Sequence, residues 1–180
     1  MTAPSIVRTA TPADKGEIWR LLLQSHKENG LFKLDPLKVD HLVNRAIYAD
    51  QIPPWDSGHR AHIGVIGEEG ALEAMVFILI SSFWYTSDLH LEEISVFVDH
   101  ECRKSEHAKS IIAWMKKTAD SLGIPLLTGI ISKERTAAKI RLYDRYLPRI
   151  GAFYLFPIDG KDVKKRNHMD RDAWKAMAKH

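Results

Sequence analysis

The sequence has one cysteine in 180 residues, Cys102, so no internal disulfide can form. It has no long hydrophobic run. The longest purely apolar stretch is Ala74–Ile80, seven residues, far short of the roughly 20 that a membrane-spanning helix needs. The opening MTAPSIVRT lacks the basic-then-apolar pattern of a secretory signal. These absences lead to the expectation of a cytoplasmic protein with no membrane partner. There is no internal repeat and no low-complexity tract, so no array architecture competes with a globular one.

Strong charge of one sign is also missing from most of the chain. The net charge is +3, but residues 161–180 hold seven Lys/Arg against three Asp/Glu, so the tail carries +4 and the rest −1. The ordinary meaning of such a run is a solvated terminal segment. The sharper one is contact with a nucleic acid or another acidic partner. The 45% apolar and 27% charged fractions are those of an ordinary globular protein. The length fits one domain, taken as residues 1–160, followed by the basic tail 161–180, where Asp172–Lys179 can form a short helix.

What the sequence does contain is concentrated in Leu89–Ile112. Glu92, Ile94, Val96 and Val98 alternate with Glu93, Ser95 and Phe97, the period of a strand. From about Lys104 the period changes. Ala108, Ile111, Ile112, Met115, Ala119 and Leu122 mark one face of a helix. A strand feeding a helix through a short polar turn gathers unpaired N–H groups at the helix N-terminus, where the helix dipole also favours an anion.

The remaining elements follow from composition. Ser5–Thr9 reads as a first strand. Thr11-Pro12-Ala13-Asp14 and Asp35-Pro36 read as two helix starts, and Asp50–Arg60 as a loop around Trp55. His62–Ile66 and Leu72–Ile80 form a hairpin across Gly67–Gly70. Ser81–Asp88 is a loop carrying Phe83, Trp84 and Tyr85. Ile124–Ile131 is a strand, Glu134 to about Tyr146 a helix, and Ala152–Ile158 a last strand. His100-x-Cys102-x4-His107 contains metal-ligand types but has no companion cluster, so no metal site is expected.

The turn Arg103-Lys104-Ser105-Glu106-His107-Ala108 resembles the R/Q-x-x-G-x-G/A motif of the GNAT superfamily, the acyl-CoA-dependent N-acyltransferases. Arg103 and Ala108 match, and Glu106 stands where the family has glycine. A looser R-x-S-x-x-A form, used by a phage or bacterial branch, fits better. The element order β-α-α-β-β-β-α-β-α-β is also that of the family. The resemblance implies an α/β (α+β) GNAT fold: a central, mixed, mostly antiparallel sheet of about six to seven strands flanked by about four helices.

It further implies acetyl-CoA as co-substrate. The pantetheine arm would lie along Val96, Phe97 and Val98, and the pyrophosphate on Arg103, Lys104, Ser105, Glu106, His107 and Ala108. A carboxylate at Glu106 is expected to repel that pyrophosphate, and a non-glycine residue there to resist positive φ. Many members place a base eleven residues before the motif arginine, which is Glu92 here. Glu93 points to the other face, and a strand bulge would exchange the two. The family's N-x-x-A-x-x-L-Y has its Leu142-Tyr143 end intact, which makes Tyr143 the proton donor for the leaving thiolate. Thr136 and Lys139 replace Asn and Ala, and Lys139 becomes a phosphate contact.

The activity so implied is N-acetyl transfer from acetyl-CoA to a primary amine, small or macromolecular, directly within a ternary complex. The loops 50–60 and 81–88 and the first two helices would hold the acceptor. The tail would suit a tRNA-linked acceptor, and a homodimer is compatible with the fold. Two other readings stand beside it. One is a protein that keeps the fold without the chemistry and serves as a binding or structural component, conceivably phage-encoded. The other is a nucleic-acid binder acting through residues 161–180, with strongly salt-dependent affinity.

Overall fold

The computed structural model describes residues 5–51, 60–132 and 135–151. The expected strand at 152–158, the basic tail, and Trp55 with most of its loop lie outside the described residues.

Five strands form one sheet in the order β1-β2-β3-β4-β5, where β1 is Arg8–Thr9, β2 Ala61–Glu68, β3 Ala71–Ser82, β4 Leu89–Val98 and β5 Leu126–Leu127. The first three pairings are antiparallel, and β4 with β5 is parallel. The helices are α1 Lys15–Asn29, α2 Pro36–Ile47, α3 His107–Leu122 and α4 Thr136–Tyr143. This is the mixed α+β architecture and helix number expected, with five strands among the described residues rather than six or seven.

The long central strand β3 is apolar on both faces because both are covered. One face packs Leu72, Met75 and Phe77 with Ile18 and Leu21 of α1 and Val43 and Ala46 of α2. The other packs Ala74, Val76 and Ile78 with Ile111, Ile112 and Met115 of α3, and with Leu142 of α4. Leu122, expected on the buried row of α3, is 45% exposed. It lies in the last turn, beyond the reach of the sheet.

The start of α1 is reinforced by charge. Asp14 is fully buried. It accepts from Arg8 Nη1 and Nη2 at 2.7 and 2.8 Å and from Thr11 N at 2.8 Å. The start of α2 is the expected cap, with Asp35 accepting from Leu37 N and Lys38 N, each at 3.1 Å.

Several boundaries differ from the sequence reading. β1 is Arg8–Thr9 rather than Ser5–Thr9, and Pro12–Asp14 form a 3-10 turn before α1 begins at Lys15. α3 starts at His107, not near Lys104, because His100–Cys102 first form a 3-10 turn under an Asp99 cap. β5 is two residues long, not eight. The apolar run Ile124–Ile131 looked like a strand, but pairing with β4 stops at Glu92–Leu127, and Ile131 is 57% exposed. α4 is shorter than expected at both ends. Arg135, in left-handed conformation with φ 56°, begins it.

Candidate active site

The site forms where β4 and β5 part. The two strands pair at Leu91–Leu126 and Glu92–Leu127 and then separate, while β4 continues to Val98. From Glu93 onward β4 is paired on its β3 side only, among the described residues.

β4 is irregular at that point. Ser95 pairs with Phe77 and Glu93 with Ile78, so Ile94 has no partner and forms a bulge. Glu93 therefore shares its face with Ile78 and Leu91, toward α3 and α4. Glu92 lies on the opposite face, where its carboxylate accepts from Ser81 Oγ at 3.1 Å.

α4 brings Tyr143 to this point. Its hydroxyl donates to Glu93 Oε2 at 2.6 Å. Burial raises the Glu93 carboxyl to about 7, against the Tyr143 hydrogen bond and the charge of Lys139, which favour the ionised form. Burial and the neighbouring carboxylate together raise the Tyr143 phenol well above its ordinary value. The pair is thus a carboxyl poised near neutrality, touching a phenol that keeps its proton.

A cavity of about 250 Å³ separates the α3 N-terminus from α4. Ser105, Glu106, Ala108 and Lys109 line one wall, and Leu142, Arg145 and Tyr146 the other. Glu106 is the helix N-cap at φ −85°, so no positive φ is required there. Its carboxylate pairs with Lys109 Nζ at 3.1 Å. The strain expected from replacing glycine is absent, and the unfavourable charge is partly neutralised.

No family model matches the chain, and no curated protein matches its sequence. Its architecture does match. A ribosomal-protein-alanine N-acetyltransferase from Brucella melitensis biovar Abortus 2308 superposes with a TM-score of 0.61 at 16% identity, covering 87% of this chain and 100% of its own. An acetyltransferase of Trypanosoma brucei gives 0.57 at 16% identity over 85% and 98%. An aminoglycoside N-acetyltransferase in complex with CoA gives 0.58 at 12% identity over 86% and 98%. The chain has the GNAT fold.

Within the GNAT fold, the structure sorts the residues of the motif. Lys104, Ser105, Glu106 and Ala108 lie at or beside the α3 N-terminus, and Ser105 Oγ accepts from His107 N at 3.3 Å. Val96 and Val98 lie half-buried on the α3 face, and Phe97 is buried on the other. Arg103 turns away from the cavity. Its guanidinium pairs with the buried Glu28 of α1 and lies 5.6 Å from the centre of the Phe97 ring. His107 also points inward, with Nδ1 2.7 Å from Ser5 Oγ and Nε2 2.5 Å from Glu73 Oε2.

Lys139, expected at a phosphate, instead reaches across to the end of α1. It donates to Asn29 Oδ1 at 3.0 Å and to Ser132 Oγ at 2.7 Å, and burial lowers its pKa. Arg103 and Lys139 therefore both fasten to the last turn of α1, one from β4's end and one from α4.

Two residues of the site were not picked from the sequence. Glu93 was weighed against Glu92, but the bulge that selects it has no sequence signal. Arg145 is exposed on the cavity wall, and its only trace is its place at i+3 from Leu142.

In the loop after β3, Phe83 stacks on His90 at 4.7 Å and on Tyr85 at 5.5 Å, while Trp84 is 95% exposed. His90 Nε2 lies 3.1 Å from Ser81 Oγ, which also donates to Glu92. No helix of the described residues is long and apolar enough to cross a membrane.

Proposed function

We propose that the protein is an acetyl-CoA-dependent N-acetyltransferase, transferring directly to a primary amine. The observation that carries this reading is the Tyr143–Glu93 contact at the parting of β4 and β5 in a GNAT fold. Acetyl-CoA, when bound, supplies an acetyl thioester at that point.

The chain's own groups fit that co-substrate. The half-paired stretch of β4 from Glu93 to Val98 offers main-chain groups to an extended arm. The cavity wall offers the free N–H groups of the α3 N-terminus, with Lys104, Lys109 and Arg145 supplying positive charge nearby. Arg103 takes no part in this, being held by Glu28.

Glu93, rather than Glu92, is the base in this scheme. As the neutral amine forms the new C–N bond, the Glu93 carboxylate takes a proton from its nitrogen, and as the C–S bond breaks Tyr143 gives its own proton to the departing thiolate. Glu93 then returns the accepted proton to Tyr143 across their 2.6 Å hydrogen bond. The net movement is one proton from amine to thiol, and both side chains end as they began. The half-buried position keeps the carboxyl near 7, where it is both ionised often enough and basic enough to act.

The test is calorimetric titration with acetyl-CoA, followed by thiol release in the presence of an amine panel. Binding together with amine-dependent release supports the reading. Absence of binding at millimolar acetyl-CoA overturns it. The fold without the chemistry has one observation in its favour, the diversion of Arg103 to Glu28. Under that reading Glu93→Gln leaves every binding property of the protein unchanged and no amine releases thiol.

A further inference from the structure

We propose that Glu73, Cys102 and His107 form a binding site for a divalent metal ion of the zinc class. A carboxylate oxygen, a thiol sulfur and an imidazole nitrogen from these three residues lie within 4.8 Å of one another. They come from three separate places: the start of β3, the 3-10 turn after β4, and the first residue of α3. None belongs to the Tyr143–Glu93 pair or to the cavity wall.

The donor set is what such an ion takes. Sulfur, imidazole nitrogen and one carboxylate oxygen suit a tetrahedral zinc-type ion with a water in the fourth place. Bond lengths of about 2.0–2.3 Å put tetrahedral ligand atoms roughly 3.3–3.7 Å apart. His107 Nε2 and Glu73 Oε2 are now 2.5 Å apart, so one of them must retreat by about 1 Å. Glu73 can do so, because its side chain is 47% exposed while that of His107 is held at 8%.

Ser5 Oγ, 2.7 Å from His107 Nδ1, can accept that N–H and leave the Nε2 lone pair facing Glu73 and Cys102. In that tautomer, two lone pairs face each other until a cation enters between them. A proton is the competing cation, and it gives a plain ion pair. On metal binding the S–H bond breaks, the sulfur–metal bond forms and the proton goes to solvent.

The sequence pattern His100-x-Cys102-x4-His107 contains two of the three residues, although the sequence by itself led to no metal site. His100 is not the third. It turns toward Glu28, 3.9 Å away, and Glu73 arrives from β3 instead. Cys102 and His107 bracket Arg103–Glu106, so an ion at this place would hold both ends of the turn that supplies Ser105 and Glu106 to the cavity wall.

The test is titration of chelator-treated full-length protein with Co²⁺, read by the thiolate-to-cobalt absorption band, then displacement by Zn²⁺. The expected result is one equivalent bound with the band present, and zinc affinity at or below ~1 µM. Cys102→Ser should abolish the band and weaken zinc at least tenfold. Glu73→Gln, at an exposed side chain, should weaken zinc without altering the circular dichroism. A folded protein that gives no thiolate band overturns the proposal. So does zinc affinity unchanged in Cys102→Ser, which would assign the ion to others among the nine histidines.

Discussion

Tyr143 and Glu93 stand fifty residues apart in sequence and 2.6 Å apart in space, with the phenol donating to the carboxylate. One sits on a helix and the other on a strand that has just lost its neighbour. Each changes the other's proton affinity, and that reciprocity leads to the first two predictions.

Glu93→Gln should lower acetyl-transfer turnover by about 10²–10⁴-fold. In the unsubstituted protein, turnover should rise with pH up to about 7, where the carboxyl ionises, and then level off. The same substitution should affect stability in the opposite sense. A carboxyl whose pKa is higher folded than unfolded contributes stability fully below the unfolded value of 4.5, and loses it as pH rises through about 7. Thermal melts at pH 8 should therefore show Glu93→Gln the more stable protein, with the gap closing toward pH 5.

Tyr143→Phe removes the hydrogen bond that favours ionised Glu93. The acid limb of the pH–rate profile should move upward from about 7, and the plateau should fall by roughly 10–10³-fold. A plateau loss with an unmoved limb would mean that the two groups are not coupled.

Arg103→Ala should act on stability, because the guanidinium pairs with a carboxylate of 6% side-chain exposure. Leaving Glu28 buried without its guanidinium should cost roughly 2–4 kcal/mol, discounted from a fully buried pair because Arg103 is partly solvated. Urea denaturation measures this. Adding Glu28→Gln should recover a large part of the loss, which a phosphate-binding role for Arg103 would not produce.

Glu106→Gln should change acetyl-CoA affinity by less than about fivefold, since Glu106 is exposed and paired with Lys109, and exposed pairs are worth at most about 1 kcal/mol. Calorimetry on the two proteins decides it. A gain of a hundredfold would show that this carboxylate obstructs the cavity after all.

The fold was legible because its signals are local and repeated. The helical turn after Thr11, the cap at Asp35, the hairpin at Gly67–Gly70 and the change of period after Asp99 each needed only a few residues of context. Tyr143 was found for the same kind of reason, through a short motif. The directions of side chains were not legible. Arg103 and Lys139 read as phosphate ligands, but each finds a partner in α1, at Glu28 and Asn29, more than seventy residues away. The choice between Glu92 and Glu93 depended on a backbone irregularity that no residue type announces. Ile124–Ile131 looked like a strand because apolar composition does not reveal whether a partner strand is within reach.

The unpaired Ile94 resolves a conflict of parity. In an unbroken strand, Glu93 and Phe97 are four positions apart and must face the same way. The fold needs them opposed, with the ring in the core beneath α1 and α2 and the acid in the cleft toward α4. One extra residue between them satisfies both requirements. Straightening the strand so that Ile94 joined the ladder would force a choice: a carboxylate driven into an oily core, or a phenylalanine turned into the cleft. The same strand can therefore hold together one layer of the molecule and arm another, and the positions before and after Ile94 are free to change under separate demands.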